Sequence, residues 1–314
     1  MNKKILGIGN AIVDVLAKVD DEFLRKRNLI KGSMKLINKS EFEDLKKSIK
    51  IEKVVAGGSV ANTMSGIAYL KGSPSFIGKI NSDNFGELYK KSLEDINVKF
   101  SYIEKNEELP TGTSIILITP DSERTMCTYL GISSHLSAND INENNVTEHK
   151  LIFLEGYLWD KGISEKMFKY AINIAKKNKV KIAMSLSDIF CVSRHKQDFN
   201  NLLTNDLDIL IGNENEINEL TNKKNLLDSI NQLKIFGKLI VITRSDKGSL
   251  AIKDNEIINC DSTKVEKILD LTGAGDLFAA GFLKEYLDQS EIKKCLITGS
   301  TLASEIIQKI GARL

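Results

Sequence analysis

A glycine-rich turn followed by an aspartate is the stretch of this sequence with the clearest chemical potential. It lies in residues 270–283, DLTGAGDLFAAGFL, directly ahead of a long apolar run. Glycine inside a helix costs roughly 1 kcal/mol relative to alanine, so Gly273 and Gly275 are expected to form a turn before a helix that begins near Asp276. The free N–H groups of a helix start suit an anion such as phosphate, and a carboxylate at the same place can do chemistry. By itself the pattern fits a simple helix cap equally well.

Four further stretches place polar or glycine residues directly after apolar runs that we interpret as strands. In open α/β sheets ligands bind beyond the carboxyl ends of the strands, which marks these residues as candidates for ligand binding. They are Asn10 and Asp14 in GNAIVD, Gly57, Gly58 and Asn62 in GGSVANT, Asn213 and Glu216 in NENE, and Thr243, Arg244 and Gly248 in TRSDKG.

The first two stretches suit the recognition of hydroxyl groups. Asp14 stands in the apolar run IVDVLA, where burial of a carboxylate without partners costs several kcal/mol. It either accepts hydrogen bonds from ligand hydroxyls or pairs with a donor of the protein. Gly57 and Gly58 let a ligand approach the backbone, and the amide of Asn62 can both donate and accept to a diol. A tight turn with a helix-capping serine explains the second stretch equally well.

The other two stretches suit a nucleotide and its metal ion. Asn213 and Glu216 are three residues apart, so a helix that starts here places both on one face. Such a pair can orient the waters of Mg²⁺, which usually retains several waters and takes few protein ligands. Without other motifs, a solvated acidic helix start is the better explanation of this pair. The TRSDKGS stretch either lines a nucleotide phosphate or forms a hairpin turn.

The composition is that of an ordinary globular protein. Of 314 residues 42% are hydrophobic and 27% charged, and the formal net charge is only +2. There is no overall basic field to suggest nucleic acid as a partner, and no apolar run is long enough to span a membrane. Because the N-terminus also lacks a signal peptide, we expect a cytoplasmic protein.

Several classes of site are disfavoured by the absence of their motifs. The four cysteines lie far apart without a CxxC pair, which argues against a zinc or redox site and predicts reduced core thiols. The three histidines show no HExxH spacing, no GxSxG stretch accompanies them, and no GxxxxGK[ST] loop is present. Hydrolases and P-loop kinases are therefore unlikely functions. Any phosphate must be bound by the glycine turn before Asp276.

The order of apolar runs predicts an α/β fold in a single domain, 1–314. After about residue 150, LIFLEGYL, KIAMSLS, LDILIGN and KLIVITR are typical of strands, while SEKMFKYAINIAKKNK and EINELT are typical of helices. Such alternation favours a mostly parallel sheet with helices on both faces. Residues 101–130 instead indicate β-hairpins inserted into this framework.

Together these stretches resemble the ribokinase-like (PfkB) family of sugar and nucleoside kinases over essentially the whole chain. The resemblance rests on GNAIVD, the first signature GGSVANTMSGIAYLKGSPSFIGKINSDNFG, the NxxE of NENE, TRSDKG and the second signature DLTGAGDLFAAGFL, in this order. GNAIVDVLA, PDSERTMCTYLG and EGYLWD are most similar to the bacterial adenosine-kinase-like branch. Two long signatures in the right order are far more specific than any single piece.

The resemblance implies a ribokinase-like α/β core with a small β-sheet lid formed by segments of about 12–50 and 99–131. It implies ATP and Mg²⁺ as cofactors, with K⁺ as an optional third, and a monomer or homodimer. Leu271 departs from the small polar or β-branched residue that the second signature usually has, which makes activation by potassium less certain.

The resemblance also assigns roles to individual residues. Asp276 matches the catalytic base, which takes the proton of the attacking hydroxyl. The anion hole matches Gly273, Ala274 and Gly275, and an arginine that reaches the phosphates matches Arg124. The acceptor site matches Asn10, Asp14, Gly57, Gly58 and Asn62. The magnesium-orienting pair matches Asn213 and Glu216, and the nucleotide site matches Thr243, Arg244 and Gly248.

The implied reaction is ATP-dependent phosphorylation of a hydroxymethyl group, with adenosine as the favoured acceptor. A purine needs a flat apolar slot, and Tyr157, Leu158 and Trp159 follow a strand end where such a wall can stand, although they can equally be core residues. Ribose, fructose, inosine and guanosine stay open as acceptors. A ligand sensor without catalysis is the alternative from another class, and the intact Gly-Ala-Gly-Asp turn argues against it.

Overall fold

A nine-stranded sheet forms the centre of the molecule. The computed structural model describes residues 3–103, 105–121, 123–160 and 163–314. The strands across this sheet are, in order, β14 (Glu256–Cys260), β13 (Ser249–Lys253), β12 (Leu239–Thr243), β11 (Ile209–Asn213), β10 (Lys181–Ser185), β9 (Leu151–Glu155), β1 (Lys4–Ile8), β5 (Ser73–Ile77) and β6 (Lys99–Phe100). All neighbouring strands pair parallel except β13, which pairs antiparallel with both β12 and β14.

Helices cover both faces of this sheet. Within the described ranges they are α1 (Asp21–Lys26), α2 (Lys39–Lys47), α3 (Ser59–Tyr69), α4 (Asn84–Glu94), α5 (Glu143–Thr147), α6 (Ile163–Lys177), α7 (Ile189–Asn205), α8 (Glu214–Thr221), α9 (Leu226–Leu233), α10 (Ala274–Leu287) and α11 (Ile292–Ile306). Apolar residues of α6 to α9 form one core layer, and those of α3, α4, α10 and α11 form the other. Central strands contribute to both layers with alternate residues, as Ile152 and Phe153 do on β9. The predicted α/β class with helices on both faces is confirmed.

A second sheet of five strands lies beside the first. Its order is β3 (Met34–Leu36), β8 (Arg124–Tyr129), β7 (Gly112–Ile118), β2 (Ile12–Lys18) and β4 (Ile51–Ala56). Alternate residues such as Val15, Ile115 and Cys127 pack on α1 and α2 through Leu24 and Phe42. These two helices therefore do not cover the opposite face of this sheet.

The bounds given above for the lid segments do not coincide with this sheet. β4 lies beyond residue 50 but belongs to the second sheet, because it pairs antiparallel with β2 from Val13 opposite Ala56 to Ala17 opposite Ile51. β6 lies within residues 99–131 but pairs with β5 in the large sheet. The function of the second sheet as a lid stays a prediction.

Two other details differ from the interpretation of the apolar runs. The strand in LIFLEGYL ends at Glu155, because Gly156–Asp160 turns into a 3-10 helix. Between KIAMSLS and LDILIGN lies α7, which was not predicted. A helix is required there, since β10 and β11 are parallel and parallel neighbours need a crossover connection. None of the described helices combines the length and the apolarity needed to cross a bilayer.

Candidate active site

A cavity of about 570 Å³ lies between the free face of the second sheet and the carboxyl ends of the large sheet. Ser114, Ile116, Met126 and Thr128 line it from β7 and β8, while Glu155 reaches it from the end of β9. The structure brings the following predicted site residues to its wall: Asn10, Asp14, Gly58, Asn62, Arg124, Tyr157, Gly273 and Asp276.

Asp276 is the third residue of α10 and is held by two donors from α3. The hydroxyl of Ser59 donates to Oδ1 at 2.7 Å, and the Nδ2 amide group of Asn62 donates to Oδ2 at 2.9 Å. Burial raises the pKa of Asp276 to about 6, against the lowering effect of these hydrogen bonds. A fixed carboxylate that is ionised at neutral pH, and whose conjugate acid has a pKa near that pH, is suited to accept a proton.

Of the two glycines predicted to form a turn before Asp276, Gly273 does so, whereas Gly275 is already helical because α10 begins at Ala274. Gly273 caps α10 with φ +80, and a Cβ there would come within 2.8 Å of Ala312. The N–H of Ala274 donates to the carbonyl of Leu271 at 3.3 Å. The N–H of Gly275 has no acceptor among the described residues, and a Cβ there would meet open space. Neither Ala274 nor Gly275 belongs to the cavity wall itself.

Asp14 is partly buried on β2 with its carboxylate toward the cavity. Burial raises its pKa to about 7, although Arg313 and Arg124 favour the ionised form. Within the described ranges no protein group donates a hydrogen bond to this carboxylate, so its acceptor capacity remains for a ligand. Gly57 lies directly against it, and a Cβ on Gly57 would overlap the Asp14 side chain.

Glu155 joins the two stretches that carry the predicted acceptor residues, although the sequence did not single it out. Its Oε1 accepts from the backbone N–H of Asn10 at 2.7 Å and from its Nδ2 at 2.9 Å, and its Oε2 accepts from the N–H of Val60 at 3.1 Å. Burial raises the pKa of Glu155 to about 7. The carboxylate thereby fixes the end of β1 against the start of α3.

Arg124 lines the cavity, but its guanidinium has a protein partner. It forms an ion pair with Asp270, which also accepts from the N–H groups of Thr272 at 2.9 Å and of Gly311 at 2.7 Å. This pair connects β8 of the second sheet to the loop before α10. The role of Arg124 toward phosphate stays a prediction.

Only one of the three residues considered for a purine wall is placed at the cavity. Tyr157 lines it and donates from its hydroxyl to the carbonyl of Ser187 at 3.4 Å. Leu158 is buried in the core, and Trp159 packs on Phe168 with ring centroids 4.8 Å apart. The interpretation of Leu158 and Trp159 as a wall is wrong, because the 3-10 helix after β9 turns both side chains into the core.

Asn213 and Glu216 form a capping box at the start of α8. Oδ1 of Asn213 accepts from the N–H of Glu216 at 2.9 Å, and Oε2 of Glu216 accepts from the N–H of Asn213 at 2.9 Å. Glu216 is buried, and burial raises its pKa to about 7. Glu216 is thus not solvated as the acidic helix start was expected to be, whereas Asn213 is exposed.

The remaining predicted nucleotide residues lie next to this box and outside the cavity wall. Thr243 pairs in register with Asn213, so both lie at the same edge of the sheet as the cavity. Arg244 donates to Glu214 at 3.1 Å, and Gly248 adopts φ +80 in the turn before β13. A second polar region, formed by Asn213, Glu216, Thr243, Arg244 and Gly248, therefore lies at the same edge of the large sheet as the cavity but outside its wall.

Ser59, Ser187 and Arg313 reach the site without having been predicted. Ser187 has φ +76, a strained conformation for a residue with a side chain, and lines the cavity. The string GGS contains Ser59 but gives no sign that it contacts Asp276. Nothing in the local sequence near Arg313 indicates a site.

Known proteins resemble this chain over most of its length. A family model described as pfkB family carbohydrate kinase matches residues 26–314. Adenosine kinase 2 of Arabidopsis thaliana is 24% identical over 98% of this chain and 94% of its own, and a 5-dehydro-2-deoxygluconokinase of Listeria monocytogenes is 26% identical over 81% of each. The crystal structure of an adenosine kinase from Sinorhizobium meliloti superposes with a TM-score of 0.95 at 35% identity, covering 100% of this chain and 96% of the other.

The match with the family model covers far more than half of the chain, and the superposition extends over the whole fold. The predicted family, the kinase activity and the ribokinase-like fold are confirmed. This protein belongs to the pfkB family of carbohydrate kinases and is a phosphotransferase.

Proposed function

We propose that the protein phosphorylates the hydroxymethyl group of a nucleoside and that its acceptor is adenosine, which ATP converts to AMP. The observation that carries this proposal is that apolar side chains and hydrogen-bonding groups line the same cavity. Asp14, Asn62 and Asp276 are the polar groups to which sugar hydroxyls can bind. The apolar side chains, called the apolar wall below, are Ile12, Met34, Leu36, Ile116, Met126 and Leu130, and the polar Ser114 and Thr128 lie among them.

The apolar wall favours a nucleoside over a free sugar. A sugar presents hydroxyl groups on most sides, and an apolar wall would leave them without hydrogen bonds. A purine presents two flat apolar faces and fits such a slot. The similarity to adenosine kinases of Sinorhizobium meliloti and Arabidopsis thaliana supports the same acceptor.

In the proposed reaction Asp276 is the base. The acceptor hydroxyl lies within reach of its carboxylate, which takes the proton as the oxygen attacks phosphorus. Ser59 and Asn62 hold the carboxylate in place before the acceptor binds. Asp14 accepts hydrogen bonds from the acceptor's other hydroxyls and thereby orients it.

Membership in the family implies the use of ATP and Mg²⁺, and the second polar region fits them. We assign the nucleotide to Asn213, Thr243, Arg244 and Gly248, with Glu216 toward the metal's waters. Mg²⁺ held there would neutralise the negative charge of the phosphates during the transfer. The free N–H of Gly275 at the start of α10 is suited to the anionic phosphoryl group. Activation by K⁺ stays a prediction.

A sugar kinase is the second candidate, favoured by the similarity to the Listeria 5-dehydro-2-deoxygluconokinase. The deciding experiment supplies the purified protein with ATP and Mg²⁺ and with adenosine, inosine, guanosine, ribose, fructose or 5-dehydro-2-deoxygluconate. We expect the highest kcat/KM for adenosine, with AMP and ADP as products. A higher kcat/KM for any of the sugars would contradict the nucleoside assignment.

The role of Asp276 has its own test. Asp276→Asn keeps the size and one acceptor oxygen but removes the base, so kcat should fall by about 10²- to 10⁴-fold. The KM for ATP should change little. Turnover of Asp276→Asn within a few fold of the unsubstituted enzyme would eliminate this residue as the base.

A further inference from the structure

The segment after α11 folds back over the candidate active site. The carbonyl of Ile307 accepts from the N–H groups of Leu269 at 2.8 Å and Asp270 at 3.2 Å. The N–H of Gly311 then donates to Asp270, and Ala312 packs against Gly273 so closely that no Cβ fits there. Residues 307–313 are therefore held against the same turn that places Asp276 at the start of α10.

Arg313 extends from this segment into the site and contacts α3 and the turn before it. Its Nε donates to Oδ1 of Asn62 at 2.9 Å, and its Nη2 donates to the carbonyl of Gly57 at 2.9 Å. Its Nη1 donates to the hydroxyl of Ser92 on α4 at 3.3 Å. A guanidinium with three such bonds has a fixed orientation, because its donors form a rigid planar fork.

These contacts determine which way the amide of Asn62 points. Its oxygen accepts from Arg313 and its nitrogen donates to Asp276 at 2.9 Å. The reversed amide would place an NH₂ group against the guanidinium and an oxygen against the carboxylate, losing both hydrogen bonds. Arg313 therefore acts on Asp276 through Asn62 and is itself not one of the residues that line the cavity.

We propose that Arg313 is a positioning residue of the phosphotransfer reaction, which orients Asn62 so that Asn62 holds the carboxylate of Asp276 toward the acceptor. The inference rests on the proposed role of Asp276 as the base. It adds a residue outside the sequence stretches that carried the functional assignment.

The charge of Arg313 has a second, measurable effect at the same place. Among the described residues, Asp276 interacts electrostatically with three charged groups, which are Asp14 on β2, Glu155 at the end of β9 and Arg313. Arg313 is the cation among them and lowers the pKa of Asp276 relative to burial alone. Removing the charge should therefore raise the pH at which Asp276 loses its proton.

The test compares Arg313→Met with Arg313→Lys, using adenosine or the best acceptor of the panel above. Arg313→Met should lower kcat by about 10- to 100-fold, as expected for a misplaced catalytic group, while the KM for ATP stays the same. Its acid limb in the pH dependence of kcat should move to higher pH. Arg313→Lys keeps the charge but not the fork, so its kcat should fall while its acid limb stays in place.

Controls separate positioning from folding and from the proposed function. Lys309→Ala in the same segment changes an exposed side chain whose ion pair, to Glu305 at 3.0 Å, lies outside the site, and should leave kcat unchanged. Melting temperatures identify any variant that loses its fold, and Arg313→Lys is then the variant that decides. An unchanged kcat and acid limb in a folded Arg313 variant, with Asp276→Asn inactive, would overturn this inference alone. An active Asp276→Asn would overturn the base assignment itself.

Discussion

We expect Asp14 to destabilise the fold and to assist ligand binding. It is a partly buried carboxylate to which no donor of the described chain forms a hydrogen bond, and desolvation raises its pKa to about 7. A side chain in this state costs folding free energy whenever it is ionised. It lies beside Gly57 and faces the cavity, where the proposed ligand would supply the missing donors with its hydroxyls.

Asp14→Asn should separate these two effects. The unfolded chain releases the Asp14 proton near pH 4 and the native protein releases it near pH 7, so the contribution of Asp14 to stability falls as pH rises between these values. Asparagine resembles the protonated form at every pH. The variant should therefore melt a few degrees higher than the unsubstituted protein at pH 8, and at nearly the same temperature at pH 4.5.

The same variant should bind its acceptor less well. Loss of hydrogen bonds to a charged group is worth about 1.5–3 kcal/mol, which corresponds to a rise of about 10- to 100-fold in the acceptor KM. Calorimetry at several pH values and steady-state kinetics measure the two effects. A melting temperature that rises equally at both pH values, or an unchanged acceptor KM, would contradict this account of Asp14.

At the scale of elements, the start of α10 depends on two glycines that have different tasks. Gly273 has φ +80 and lies against Ala312, so both its backbone and its surroundings exclude a side chain. Gly275 is helical and faces open space. One glycine is needed for the fold of the turn, while the other is free of such a constraint and leaves room beside a free N–H.

Alanine at each position should therefore give opposite results. Gly273→Ala should destabilise the protein by roughly 1–3 kcal/mol through strain at positive φ and the clash with Ala312. Gly275→Ala should keep or raise stability, because alanine favours a helix by about 1 kcal/mol. Its methyl group should nevertheless raise the KM for ATP by crowding the phosphoryl site. Denaturant titration and ATP kinetics distinguish the two, and equal stability losses would be inconsistent with this structure.

At the scale of the whole molecule, the cavity proposed as the acceptor site exists because the second sheet faces the large one. Alternate residues of β7 and β8 divide between the core under α1 and α2 and the cavity, as Ile115 and Ile116 do. The ion pair between Arg124 and Asp270 connects the second sheet to the loop before α10. The second sheet contributes most of the apolar wall together with Asp14, while Asn62 and Asp276 come from α3 and α10, which pack on the large sheet.

Filling the cavity beside the apolar wall should reduce nucleoside binding specifically. Met126→Trp on β8 points a larger side chain into the cavity, and we expect the adenosine KM to rise at least about tenfold while the KM for ATP stays the same. Lys35→Trp on neighbouring β3 is the matched control, since Lys35 is exposed and lies between two cavity residues. An adenosine KM that is unaffected by Met126→Trp would place the purine elsewhere.

The sequence by itself determined the features that depend on neighbouring residues. The Gly-Ala-Gly-Asp turn, its helix and the strands that precede Asn10 and Asn213 follow from glycine conformation and from the period of apolar residues. Because ligands gather at strand ends in such folds, the region of the site could be predicted as well. The family signatures supplied the role of Asp276.

Only the tertiary structure decided which distant groups meet. Asn62 and Arg313 are 251 residues apart, Asn10 and Glu155 are 145 apart, and Arg124 and Asp270 are 146 apart. No local pattern encodes such contacts, since each depends on how elements far apart in the sequence pack against one another. The turn that sends Leu158 and Trp159 into the core, and leaves Tyr157 at the cavity, was decided in the same way by packing.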